Sequence, residues 1–462
     1  KNLRKLSFHQ RAGLLKALAD HLSQHKDRLY KLSLHAGATR TDAMIDVDGG
    51  IGTLFAYASK GRRELPNTRY LLDGNVEGLS KGGAFAGQHI VTPLHGVAVH
   101  INAFNFPCWG LLEKLAPALL AGVPVVTKPA TVTAYVAYEL VRLITESGAL
   151  PEGALQFIIG STGDLFDHLT CQDVVSFTGS ADTSQKLQRH PVIAREAVRF
   201  IAERDSLNAA ILAPGAAPGS PEFDLFIKEV AKEMTVKAGQ KCTAIRRALA
   251  PSAQLDAVIS ALRDRLAKVV VGNPASDNVR MGPLVGLAQR NDVLAHVAKL
   301  RTEAELVAGD PDNFALVDAD AKRGAFVPPL LLHCAKPLAA TAVHEIEAFG
   351  PVCTVMGYDD LDQAIALTNR GGGSLVASVY THDIDAATEL TFGIGSFHGR
   401  VAIIDRDCAT EHTGHGSPMP QMVHGGPGRA GGGEELGGVR SLQHYMQRTA
   451  LQGSPQIGRA HV

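Results

Sequence analysis

Apolar positions along the chain follow two rhythms. In "FHQRAGLLKALADHLSQHKDRLYKLSLHAG", Leu14, Leu15, Leu18 and Leu22 recur at helical spacing with charges on the other face. This predicts a long amphipathic helix ending near Gly37. From about position 90, short apolar runs are each followed by Gly, Pro or Ser and then a helical stretch: "HGVAVHINAFNFP", "GVPVVTKPAT", "ALQFIIGSTGD" and "DVVSFTGSAD". Strands alternating with helices predict a parallel sheet with crossovers, a doubly wound α/β unit. A second α/β unit starts near Ser206. In "FDLFIKEVAKEMTVKAGQKC", Phe223, Phe226, Ile227, Val230 and Met234 share a helix face, with Pro221 near the start and Gly239 near the end. That helix delivers Cys242 just past its C-terminus. The tail "HGGPGRAGGGEELGGVRSLQHYMQRTALQGSP" is glycine-dense and turns helical or strand-like around Leu442 to Met446. Its glycines predict a surface loop or an inter-subunit arm instead of packed core.

Composition narrows the function classes. Of 462 residues, 45% are hydrophobic and 20% charged, and the formal net charge is -1. Such a balance lacks the electrostatic footprint of a nucleic-acid or anionic-membrane binder and points to small-molecule work. No apolar run approaches the roughly 18 residues of a membrane span. Cys108, Cys171, Cys242, Cys334, Cys353 and Cys408 are scattered with no C-x-x-C pair, which fits a reducing cytoplasm and neither a zinc site nor a disulfide framework. His398, His412, His415 and His424 match no ligand spacing and read as loop histidines, so no metal is expected. The chain begins with Lys, not Met, so its true beginning is expected to lie upstream.

The chemistry gathers around "AGQKCTAIRR", where Cys242 sits in polar company instead of in an apolar run. A thiolate that attacks a carbonyl needs an oxyanion donor and a base for the later hydrolysis. Asn105 in "INAFNFP" ends a strand-like run and offers an amide donor, and Glu203 in "RFIAERDSLN" follows an apolar run at the boundary between the two units. Lys128 in "TKPAT" and Glu347 in "EAFGP" are charges fixed beside prolines or aromatics, while Gly160 and Ser180 stand where strand ends meet helix starts and phosphates bind. The G-x-G-x-x-G fingerprint is missing from both of those loops. Singly, each of these residues is ordinary.

Their order resembles that of the NAD(P)-dependent aldehyde dehydrogenases over essentially the whole chain. "INAFNFP" is similar to the family's aromatic-Asn-Phe-Pro segment with Phe104 in the tryptophan position, "TKPA" to its cofactor lysine turn, "SFTGS" to its phosphate-proximal turn, "GQKC" to its nucleophile segment and "EAFGP" to its Glu-x-Phe-Gly-Pro motif. The resemblance implies Cys242 as nucleophile, Asn105 as oxyanion donor and Glu203, thirty-nine residues before the cysteine, as general base. It implies cofactor contacts at Lys128, Thr131, Gly160, Gly179, Ser180, Glu347 and Phe349. Most members follow the base glutamate with Leu-Gly-Gly, but here that tetrad stands at Glu435 to Gly438, far downstream of Cys242, so Glu435 is read as structural or interfacial. Thr131 stands where NAD-preferring members often carry a glutamate, which removes a repulsion against a 2'-phosphate and predicts NADP in preference to NAD.

"GATRTDAMIDVDGGIGTLFAYAS", "HINAFNFPCWGLLEKLAPALL", "AERDSLNAAIL", "AGQKCTAIRR" and the glycine-dense tail are further similar to dehydrogenases of CoA-linked aromatic catabolism. The ring-opening enzymes of phenylacetyl-CoA breakdown come first, with 3,4-dehydroadipyl-CoA semialdehyde dehydrogenases of the benzoyl-CoA epoxide route as the alternative. A CoA-acylating dehydrogenase, a cysteine hydrolase and a non-catalytic binding protein are the competing classes. The implied organisation is a Rossmann-like cofactor domain over 1–205 with an arm hairpin at about 76–93, a catalytic domain over 206–405, and a glycine-rich segment with an oligomerisation arm over 406–462. About fifty N-terminal residues are expected to be missing; in the phenylacetyl-CoA enzymes a hydratase-like domain follows, so beyond "QGSP" either the ring-hydrolysing activity is absent from this chain or the chain is incomplete, and a homo-oligomer built from dimers is implied. Arg246 and Arg247 read as exposed cations, with a CoA phosphate as the functional alternative.

Overall fold

The computed structural model describes residues 2–454, so the "QIGRAHV" end of the tail lies outside the described residues. After a short helix, Asn2–Lys5, come two long ones, Phe8–Ser33 and Arg40–Arg63, and each of these starts with a reciprocal cap. Ser7 and Gln10 form one, Thr39 and Asp42 the other. The first long helix passes through one 3-10 turn and stops at Gly37, which is left-handed. Leu15, Leu18 and Leu22 pack fully buried with Val47, Leu54 and Tyr57 of the second helix and with Leu112 and Leu115 of the helix Trp109–Ala121.

A five-stranded parallel sheet has the order β5-β4-β3-β6-β7, with β3 Ala98–Ile101, β4 Val125–Lys128, β5 Leu155–Phe157, β6 Val174–Thr178 and β7 Arg199–Glu203. The chain builds outward from β3 through β4 to β5, then returns to the other side of β3. That reversal opens a crevice beyond the carboxyl ends of β3 and β6, the place where such sheets bind ligands. A second sheet has the order β10-β11-β12-β9-β8-β13-β14: β8 Ala209–Leu212, β9 Arg247–Pro251, β10 Glu305–Ala308, β11 Leu330–Cys334, β12 Val352–Tyr358, β13 Ser374–Tyr380 and β14 His398–Ile404. All its neighbours are parallel except the edge pair β10–β11. Its core strands are buried on both faces, as for β13, where every residue is buried.

The third sheet is antiparallel: β1 Leu71–Gly78 and β2 Ala86–Pro93 form a hairpin that pairs with β17, Met446–Gly453. The hairpin thus starts five residues before the expected Val76.

The glycine-dense tail departs from its expected place. It forms a small hairpin of β15, Val423–Gly425, and β16, Glu434–Leu436, and Glu435, Leu436, Leu442 and Tyr445 are buried. Its glycines admit the chain to the interior, because they let it lie directly on other backbone. A Cβ on Gly431 (φ 112) would stand 2.3 Å from the Ala202 carbonyl oxygen of β7. Only the last stretch, β17, is the peripheral arm. Among the described residues no helix is long and apolar enough to cross a membrane.

Candidate active site

The segment that carries Cys242 is set by a sharp bend. The helix Pro221–Thr235 ends one turn before the glycine, and Lys237 (φ 54) and Ala238 (φ 51) then adopt left-handed backbone. Such conformations cost non-glycine residues on the order of 1–3 kcal/mol each and persist only where neighbours fix them. Here Asp42 accepts from Lys237 N–H at 2.9 Å, and Gln240 bridges the Lys237 carbonyl and Val285 N–H. Gly239 must be glycine, since a Cβ would meet the Gly350 carbonyl oxygen at 2.1 Å. Asn208 then clamps the next turn by donating to the carbonyls of Cys242 (2.8 Å) and Ala244 (3.0 Å).

The structure brings Cys242, Glu203 and Asn105 into one cavity of about 680 Å³, within the usual size of a ligand site. Glu203 is the last residue of β7, and Asn105 lies in the loop after β3. The Asn105 amide is 7% exposed and has no protein hydrogen-bond partner among the described residues, so it is available to a ligand.

His424 completes the group. It is buried on β15, with Nε2 3.0 Å from Glu203 Oε2, an ion-pair distance off the hydrogen-bond line, so that Oε2 keeps an unclaimed lone pair. Sγ of Cys242, an oxygen of Glu203 and a ring nitrogen of His424 lie within 4.8 Å of one another. The set has atoms that could meet a metal, but the imidazole and carboxylate already neutralise each other and no metal is assigned. Burial pushes the Glu203 carboxyl up, yet the charges of His424 and Lys114 outweigh it and hold it below the ordinary range. Burial lowers His424, and Glu203 more than restores it, so the imidazole is raised. Burial, then the Glu203 charge, pushes the Cys242 thiol well up, so the resting thiol is neutral.

A second buried layer lies behind this one. Lys114 of the helix Trp109–Ala121 pairs with Glu435, which also accepts from Ser176 Oγ at 2.8 Å. Neighbouring Glu113 is pushed to about 8 by burial and is protonated at neutral pH. Glu435 is therefore an interior ion-pair partner, away from the surface.

Of the expected cofactor residues, Lys128, Gly179, Ser180, Glu347 and Phe349 line the cavity, whereas Thr131 and Gly160 do not. Glu347 accepts from Ser206 N–H (3.0 Å) and faces Arg246 Nε at 3.3 Å; burial raises its carboxyl to about 7. Phe349 meets Phe104 edge to face at 5.8 Å.

Two expectations are corrected. Arg246 and Arg247 are buried, 4% and 1% exposed, and spend their donors on the carbonyls of Gly350, Gly239, Lys241, Leu207, Leu367 and Thr368. A guanidinium so enclosed is an interior clamp and cannot reach a CoA phosphate. His398 and His424 lie in the strands β14 and β15 instead of in loops, whereas His415 is in a loop as expected; all three are buried. His424, Lys114 and Asn208 gave no local signal in the sequence, because tertiary contacts alone define their surroundings.

Comparison with known proteins agrees with this geometry. Residues 1–451 match the aldehyde dehydrogenase family. The chain is 51% identical over 426 residues to 3,4-dehydroadipyl-CoA semialdehyde dehydrogenase of Aromatoleum evansii, covering 92% of this chain and 82% of that protein. It is 30% identical over 383 residues to alpha-ketoglutarate semialdehyde dehydrogenase of Haloferax volcanii, 81% and 73% of the two chains. Among solved structures, a betaine aldehyde dehydrogenase point variant of Staphylococcus aureus in complex with NAD+ is similar with a TM-score of 0.83 at 23% identity, over 97% of this chain and 86% of that one. By sequence, by fold and by the cysteine cavity at its centre, the chain belongs to the aldehyde dehydrogenase family.

Proposed function

We propose that this aldehyde dehydrogenase oxidises a CoA-linked semialdehyde of aromatic-ring breakdown, of the 3,4-dehydroadipyl-CoA semialdehyde type, to the free acid with NADP. One observation carries the substrate class: the 51% identity to the Aromatoleum evansii enzyme over most of both chains. That relative supports the group expected second over the phenylacetyl-CoA group expected first.

The cavity suits a nicotinamide dinucleotide. Lys128, Ser180 and Thr183 supply amine and hydroxyl groups, Glu347 a carboxylate, and Phe104 and Phe349 apolar surface beside Cys242. These residues would hold it. When bound, the cofactor accepts a hydride. The lean to NADP rests on Thr131, where no carboxylate stands to repel a 2'-phosphate near Lys128.

The protein's own groups divide the rest of the work. The Cys242 thiol gives up its proton to Glu203 as sulfur adds to the aldehyde carbon, and the Asn105 amide with the Cys242 N–H holds the oxyanion. Loss of hydride from that carbon leaves a thioester on Cys242. Glu203, its first proton passed on to solvent, then takes a proton from water, whose oxygen attacks the thioester; that proton returns to the leaving sulfur, and the acid and the Cys242 thiol are released. A second copy of the chain is the proposed partner, seated on the β1–β2–β17 arm.

The test is turnover of a CoA-linked semialdehyde beside simple aldehydes, with NADP and with NAD at saturating aldehyde, and mass analysis of the product. Free acid, NADP preference and a preference for the CoA-linked aldehyde are expected. Simple aldehydes turned over equally well would sink the substrate class, NAD preference would sink the cofactor, and a second CoA ester as product would mark an acylating enzyme.

A further inference from the structure

Phe104 and Phe106 stand on either side of Asn105 and face different spaces. Phe104 lines the cofactor cavity and packs on Phe349. Phe106 does not line that cavity; it meets Trp109 edge to face at 6.2 Å and carries the Lys237 ammonium over its ring at 5.3 Å. With a cofactor filling the cavity on the Phe104 side, the Phe106 side of Asn105 is the one left for an aldehyde.

Two donors wait there unpaired. Lys237 is 7% exposed, and among the described residues its Nζ has no hydrogen bond and no ion pair. The Trp109 Nε1–H is buried with no partner. A fully buried carboxylate, Asp46, balances the lysine at longer range while accepting from the N–H groups of Cys108 and Trp109. An almost buried ammonium left without an acceptor is costly, and so is the left-handed backbone that carries it. Both costs make sense if an acceptor arrives with the substrate.

We propose that Lys237, with the indole N–H of Trp109, receives an oxygen at the far end of the aldehyde, the thioester carbonyl or carboxylate that distinguishes a semialdehyde from a simple aldehyde. This rests on the semialdehyde reading above and makes Lys237 a specificity-determining residue. The aromatic pair takes the carbon chain between the two ends, and the ammonium supplies a charge-assisted hydrogen bond to the terminal oxygen.

The test compares kcat/KM for hexanal, adipate semialdehyde and the CoA thioester of adipate semialdehyde in the native enzyme and in Lys237→Met, Lys237→Arg and Trp109→Phe. The native preference for the oxygen-ended aldehydes over hexanal should fall about tenfold or more in Lys237→Met, and by a smaller factor in Trp109→Phe. Lys237→Arg, which keeps the cation, should retain most of it. A fall confined to the thioester identifies its carbonyl as the acceptor, and a fall confined to the free acid identifies the carboxylate. Equal losses on all three aldehydes in Lys237→Met, or loss of the preference in Lys237→Arg, would show a purely structural lysine and overturn the proposal. If the native enzyme ignores the CoA thioester yet the free-acid preference depends on Lys237, the CoA-linked reading fails and the lysine assignment stands.

Discussion

At the scale of single residues, the pairing of Glu203 with His424 decides how Glu203 behaves as the proposed base. Glu203→Gln keeps the shape and removes the proton acceptor, so hydrolysis of the acyl-enzyme should fall by roughly 10²–10⁴. Rapid-quench measurement should then find acyl-enzyme accumulating; its absence would move the base elsewhere. The imidazole sets the pH dependence. His424 is raised above its ordinary 6.5, so its contribution to stability is full below 6.5 and lost as pH rises through the higher folded value. Glu203 is held below its ordinary 4.5, so its contribution is present above 4.5 and lost as pH falls through the lower folded value. The pair is therefore most stabilising between about 4.5 and 6.5. Above the folded value of His424, Glu203 loses its cation and becomes a stronger base. Deacylation should rise through that pH, and His424→Phe should abolish the step and narrow the stability difference from wild type at high pH. An unchanged pH profile in the variant would sink this account.

Whole elements are tied together behind the site by Lys114, Glu435 and Ser176, which join the helix Trp109–Ala121, β16 and β6. Removing one member of a buried pair strands the other charge, so Lys114→Met should cost about 3–5 kcal/mol, and replacing Glu435 by Leu in the same chain should recover much of it. Urea unfolding reads both, and additive losses in the double variant would show that the two do not act as a pair. The elements themselves were legible where periodicity was strong. The first long helix and its glycine stop, the strands β3, β4, β5 and β6, and the helix before Cys242 all fall where alternation and capping residues put them. The tail was not legible, because glycine density looks the same in a loose loop as in a chain pressed against another backbone. Only the neighbour at Ala202 separates the two.

Across the whole molecule, the third sheet stands out from the body. Both of its outer strands, β1 and β17, have an open edge, and Leu72, Val76, Leu79 and Phe85 are exposed, Val76 at 63%. Such a surface suits a second copy of the chain. Light scattering should give a multimer for the native protein and a smaller species for Val76→Lys/Phe85→Lys; equal masses would refute the arm's role.

The sequence by itself determined the α/β class, the identity of Cys242, Asn105 and Glu203 as candidates and their order along the chain, since periodicity and local motif are written in consecutive residues. Tertiary structure decided what surrounds them. It turned Arg246 and Arg247 inward, carried His424 from a glycine-rich stretch to the side of Glu203, and left Lys237 unpaired beside Phe106. Burial and charge at a site come from residues tens to hundreds of positions apart, and a linear pattern holds no measure of that distance.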